Sequence, residues 1–80
     1  MAYFTSNYTT APTDWEERKR VMLGDLADGY YDYLYFKIVL SLNDARDNND
    51  YERHELLLKI LKNFKDKNYS RLYNLIAQLA

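Results

Sequence analysis

No cysteine occurs anywhere in the 80 residues. Disulfides, thiol nucleophiles and cysteine-based zinc sites are thereby excluded, and the absence suits a reducing compartment, so the cytoplasm is the expected location. Proline occurs once and the hydrophobic content is 48%, which argues against intrinsic disorder from residue 14 onward. No stretch approaches the roughly 18 uninterrupted apolar residues of a membrane span. Met1-Ala2-Tyr3-Phe4-Thr5-Ser6 also lacks the basic start and apolar stretch of a signal peptide, so neither export by that route nor a membrane anchor is expected. A formal net charge of −1 provides no global attraction to nucleic acid or to anionic lipid.

The single histidine, His54, stands in His-Glu-Leu-Leu-Leu without the second histidine of a zinc protease motif, so it reads as a structural side chain. One histidine and no cysteine also make a poor transition-metal set. Ser6, Ser41 and Ser70 have no local activating motif, and a serine triad needs a base the chain can supply only once. Asp44, Asp47, Asn48, Asn49 and Asp50 invite a calcium loop, but Arg46 or Tyr51 falls where an oxygen ligand belongs. Gly24 and Gly29 have the glycine spacing of a phosphate loop, yet Tyr30 and Tyr31 replace its Lys and Ser/Thr, and Asp25 and Asp28 repel phosphate. Neither catalysis nor a cofactor is expected.

Tyrosine is abundant, with nine residues. Its apolar body and polar tip suit surfaces that dry out against a partner. The charges are also unevenly placed. Asp14 to Glu55 carries eleven acidic and six basic side chains, whereas Leu56 to Ala80 carries Lys59, Lys62, Lys65, Lys67 and Arg71 against Asp66 alone.

Residues 1–12 carry no charge and spread Tyr3, Phe4 and Tyr8 among small polar residues, the composition of an arm, loose or docked on a neighbour. From residue 13 the pattern is helical. Thr13 and Glu16 have capping-box spacing, and Trp15, Met22, Leu23, Leu26 and Ala27 form a buried stripe, with Gly29 as a kink or break. The run from Tyr30 to Leu42 reads as a helix apolar around most of its circumference and therefore buried on several sides. A strand is the alternative, with Leu34, Phe36, Ile38, Leu40 and Leu42 on one face. Helix is preferred because the run is long for a strand and no hairpin turn adjoins it.

Asp44 to Asp50 reads as a turn of short polar residues. A helix capped by Asn49, with Glu52 at box spacing, follows and buries Leu57, Ile60, Leu61 and Phe64, flanked by Leu56 and Leu58. After Lys67 and Asn68, Tyr69, Leu72, Leu75, Ile76 and Leu79 make a last helix running to residue 80.

The sequence thus predicts an all-α fold: a helical hairpin or a bundle of three to four helices over residues 13–80, with an extended arm at 1–12. A chain this short buries only about 60% of the surface its unfolded form exposes, so self-association, most simply a dimer, is expected to complete the core. The predicted function is that of a protein-binding regulator, inhibitor or adaptor. Trp15, Tyr31, Tyr33 and Tyr35 are its candidate anchors, and Lys59, Lys62 and Lys65 are a second candidate face. On an ideal helix Tyr33 projects about 160° from Tyr31 and Tyr35, so one set should fill the core while the other faces a partner. Nucleic-acid association through the lysine-rich half is the alternative. Far-ultraviolet circular dichroism is expected to show a predominantly helical spectrum, and light scattering at micromolar concentration a species heavier than the monomer. A sheet spectrum, or a monomer mass throughout, would contradict these expectations.

Overall fold

A computed structural model describes residues 13–80; the arm at 1–12 lies outside the described residues. Among the described residues four helices follow one another: α1 (Trp15–Asp28), α2 (Tyr31–Asp47), α3 (Tyr51–Lys65) and α4 (Tyr69–Ile76). No strand occurs among the described residues. Each helix packs on the next, and α1 also packs on α4, closing the four into a bundle. Arg18 pairs with Asp44 and Asp25 with Lys37, which sets α1 and α2 antiparallel.

Each connection is a minimal turn of the same kind. Gly29 ends α1 in the left-handed conformation (φ 76°), with its own N–H donating to Leu26 O at 3.2 Å and the Tyr30 N–H to Asp25 O at 2.8 Å. These two bonds define a Schellman cap, which satisfies carbonyls a helix end otherwise leaves unpaired. Asn49 (φ 58°) and Lys67 (φ 59°) repeat the arrangement after α2 and α3, as Asp50 donates to Ala45 O at 2.8 Å and Asn68 to Asn63 O at 2.9 Å. The next residue in each case (Tyr30, Asp50, Asn68) is the N-cap of the following helix. One left-handed residue and one cap therefore suffice to reverse the chain.

Several boundaries depart from the sequence expectation. Asp14, not Thr13, caps α1, accepting the Glu17 N–H at 3.2 Å; a carboxylate at the positive end of the dipole outdoes the hydroxyl one residue earlier. Asp50, not Asn49, caps α3, accepting the Arg53 N–H at 3.3 Å, while Asn49 takes the left-handed position that asparagine tolerates. The predicted turn at Asp44 to Asp50 shrinks to Asn48 to Asp50. Ala45 is fully buried and Asp44 is paired with Arg18 at 2.9 Å, so tertiary contacts carry α2 four residues past the point where local preference would end it. At the other end, α4 stops at Ile76, and Leu79 reaches the core from a following turn.

The core consists of Met22, Leu34, Ile38, Ala45, Leu57, Ile60, Leu72, Ile76 and Leu79. Trp15, Leu23, Leu26, Leu61 and Phe64 pack around it, but Ala27 of the predicted α1 stripe is exposed. A fully buried side chain of this kind contributes about 1.5–3 kcal/mol. In α2 the buried positions are Leu34, Ile38, Ser41 and Ala45, a single stripe at four- and three-residue steps. Tyr30, Tyr33, Phe36 and Leu40 stay exposed, so the helix expected to be covered on several sides is fully covered on one. The hydroxyl of Ser41 is the polar member of the interior. It accepts from Arg18 Nη1 at 2.8 Å and points its proton at Met22 Sδ, 3.9 Å away.

Truncating Ile38 to alanine is expected to cost about 2–5 kcal/mol in urea unfolding through the cavity it leaves. Lys67→Gly should act in the opposite direction, stabilising by about 1 kcal/mol, because a side chain in the left-handed region is strained and glycine is not. A neutral Ile38→Ala or a destabilising Lys67→Gly would contradict these placements.

Candidate binding surfaces

The first residue of α1, Trp15, is half-buried between two guanidinium groups, Arg18 at 5.8 Å and Arg53 at 5.1 Å from its ring centroid. Both arginines reach onward. Arg18 hydrogen bonds to Ser41 and Asp44 of α2. Arg53 donates through Nε to the Leu79 carbonyl at 2.7 Å and through Nη1 to Asp50 at 2.6 Å. The indole therefore joins α1 to α3 and the segment after α4, and a cation on an aromatic face is attracted by the ring quadrupole. The same hydrogen bond from Arg53 holds the Asp50 carboxyl below its ordinary value, against the opposing effect of burial, with the Arg53 backbone N–H and its charge reinforcing it. Beside this network lies an open groove of about 500 Å³ lined by Asp50, Glu55, Arg53, Lys59 and Leu56, in which both signs of charge alternate.

The candidate tyrosines separate to two sides of α2. Tyr31 stacks on Tyr69 of α4, with ring centroids 4.8 Å apart and planes within 9°, and Tyr35 meets Phe64 of α3 at 5.7 Å. Tyr33 lies on the other side, edge-on to Tyr30 at 6.0 Å, with the Lys37 ammonium 5.7 Å from its ring centroid and paired onward to Asp25. The predicted separation of Tyr33 from Tyr31 and Tyr35 is present, but neither set fills the core: that position belongs to Leu34 and Ile38. Tyr31 and Tyr35 brace neighbouring helices from the rim.

On the outer side of α2, Tyr33 (65% exposed), Phe36 (64%) and Leu40 (39%) follow one another at steps of three and four. This is the spacing by which side chains share one face of a helix, as in a coiled-coil seam. Phe36 and Leu40 were not among the sequence candidates. Their helical phase identifies them once Leu34 and Ile38 are known to face inward, because a residue two positions later points about 160° away. The seam begins at a shallow cleft of about 340 Å³ lined by Gly29 and Tyr30 to Tyr33.

Lys59, Lys62 and Lys65 are exposed on α3, but successive three-residue steps spread them over about 120° of the helix, so they do not converge on one point. Lys62 is engaged by Asp66 at 3.2 Å. Tyr51 and Leu58, both exposed, fall on the same side as Lys62 and Lys65, and Tyr73 of α4 is exposed as well. His54 is half-buried, and no group of three potential metal ligands assembles among the described residues. No protein family, curated protein or solved structure matches this chain.

The Asp50–Arg53 pair makes stability depend on pH. Because the folded pKa of Asp50 lies below its unfolded value, the contribution is fully present above about pH 4 and is lost as the pH falls through the folded pKa. Wild type should melt above Asp50→Asn at neutral pH, and the gap should narrow progressively as the pH falls below the ordinary carboxylate range. A gap that stays constant over that range would mean that the carboxylate charge contributes nothing.

Proposed function

We propose that the protein is a small non-catalytic regulator or inhibitor that acts by binding, as a homo-oligomer in a reducing compartment such as the cytoplasm, and that it occludes or bridges a larger protein. The observation that carries this reading is apolar surface left over after the core is complete. Tyr33, Phe36 and Leu40 on α2, and Tyr51 and Leu58 on α3 with Tyr73 on α4, stay exposed around a core whose described side chains contain no buried polar atom without a partner. Aromatic side chains are fixed at a contact with little loss of freedom, which makes exposed ones efficient anchors. Two such areas suit the two contacts required, one between copies and one with the target. Of the four aromatic candidates, Tyr33 keeps the anchor role. Trp15, Tyr31 and Tyr35 serve it indirectly by holding the helices on which the surfaces are built.

Nucleic-acid association is the second reading, favoured by Lys59 and Lys65, which have no ion-pair partner among the described residues, together with Lys67 and Arg71. Against it stand the dispersion of these lysines and the acidic first half of the chain, since phosphate binding requires several cations along one path. A pull-down from native extract, with and without nuclease, separates the readings. Capture of a protein that survives nuclease and is lost with Tyr33→Ala, Phe36→Ser or Tyr51→Ala supports the regulator. Capture released by nuclease, and abolished when Lys59, Lys62 and Lys65 are replaced by alanine, would replace it with the nucleic-acid reading.

A further inference from the structure

We infer that the outer seam of α2 is covered by the same seam of a second copy, with the two α2 helices antiparallel across a twofold axis. This assignment rests on the homo-oligomer part of the reading above and names the surface that forms it. Tyr33, Phe36 and Leu40 occupy the first, fourth and first positions of a heptad, and Asn43 and Asp47 continue the same phase. Tyr30, Tyr33, Phe36 and Leu40 together expose on the order of 400 Å² of side-chain surface, since a ring of this size offers about 150–250 Å² when fully bared. That is half of the roughly 800 Å² per partner of a standard interface, enough for the apolar centre of a dimer that dissociates on dilution.

The charges beside the seam choose the partner and its direction. In a parallel pair, Asp32 would meet Lys37 of the other copy, but Lys37 is already held by Asp25, and at the seam itself the two Asp47 carboxylates would face each other, like on like. In an antiparallel pair with Phe36 against Leu40 of the other copy, Tyr33 falls opposite Asn43, where a phenol and an amide can hydrogen bond. Asp32 then comes beside Arg46 of the other copy, and the exchange occurs twice by symmetry. Arg46 is exposed, bound within its own chain to Asn43 at 3.1 Å and reaching Asp47 only at 3.9 Å, so it is available for this contact. The one like-charge approach is Lys37 to Lys37 near the axis, where each ammonium is neutralised by Asp25 on its own α1. A polar residue at a seam position, here Asn43, fixes register and orientation.

The absence of cysteine makes a direct test clean. Wild type in sedimentation equilibrium should show a monomer–dimer equilibrium, and Phe36→Asp should weaken it by at least about thirtyfold while melting close to wild type, because the side chain replaced is exposed. Mixed Tyr33→Cys and Asn43→Cys proteins should form the mixed disulfide on mild oxidation, whereas neither variant alone should cross-link to itself. A monomer at every concentration overturns both this inference and the homo-oligomer reading. A dimer that withstands Phe36→Asp, or that cross-links Tyr33→Cys to itself, overturns the inference and leaves self-association standing elsewhere on the surface.

Discussion

A helix that is apolar around most of its circumference can be covered on only as many sides as there are neighbours to cover it, and four helices drawn from 68 described residues supply α2 with few. The inner stripe, Leu34, Ile38, Ser41 and Ala45, receives the core. One flank receives Phe64 and Tyr69 through Tyr35 and Tyr31, and the other receives α1 through Lys37 and Asp25. Phe36, on the outer side, is left 64% exposed. The rest of the architecture follows from this shortage. The residues that would complete a larger core are at the surface, and the polar bonds that fix the helices lie at its edges, where a solvated chain tolerates charge.

Those edge contacts explain how short connections hold a bundle with so small a core. Arg18 crosses from α1 to Ser41 and Asp44, Arg53 ties α3 to the Leu79 carbonyl, and Trp15 lies between the two guanidiniums. Individually, partly exposed ion pairs contribute little. Here they share partners, so ordering one arginine also positions its neighbour, and the hydroxyl of Ser41 enters the interior with its hydrogen bonds made.

The helical class and most of the core were legible in three- and four-residue spacings such as Leu57, Ile60 and Phe64, whereas the choice between a hairpin and a bundle of three or four helices stayed open. The helix ends were less legible. Reading Asp44 to Asp50 as a turn follows local preference, but Ala45 packs inward and Asp44 meets Arg18 from 26 residues away, contacts no local window contains. Lys67 in a left-handed turn is equally unannounced, since no composition rule places lysine there. The tyrosine surplus drew attention to α2, and the phase difference between Tyr33 and its neighbours was readable from 100° geometry. The direction of the core was not readable from α2 alone. With apolar residues on nearly every side, only the placement of α1, α3 and α4 decides that Phe36 and Leu40 face outward while Leu34 and Ile38 do not.

The central claim, that copies of this chain meet through the outer side of α2, is tested most directly by recording amide chemical shifts of the isotopically labelled protein over a dilution series. Concentration-dependent shifts confined to Tyr30 through Asp47, and largest around Tyr33, Phe36 and Leu40, are the predicted result. Shifts that cluster instead on α3 and α4, or a spectrum unchanged at every concentration, would contradict it.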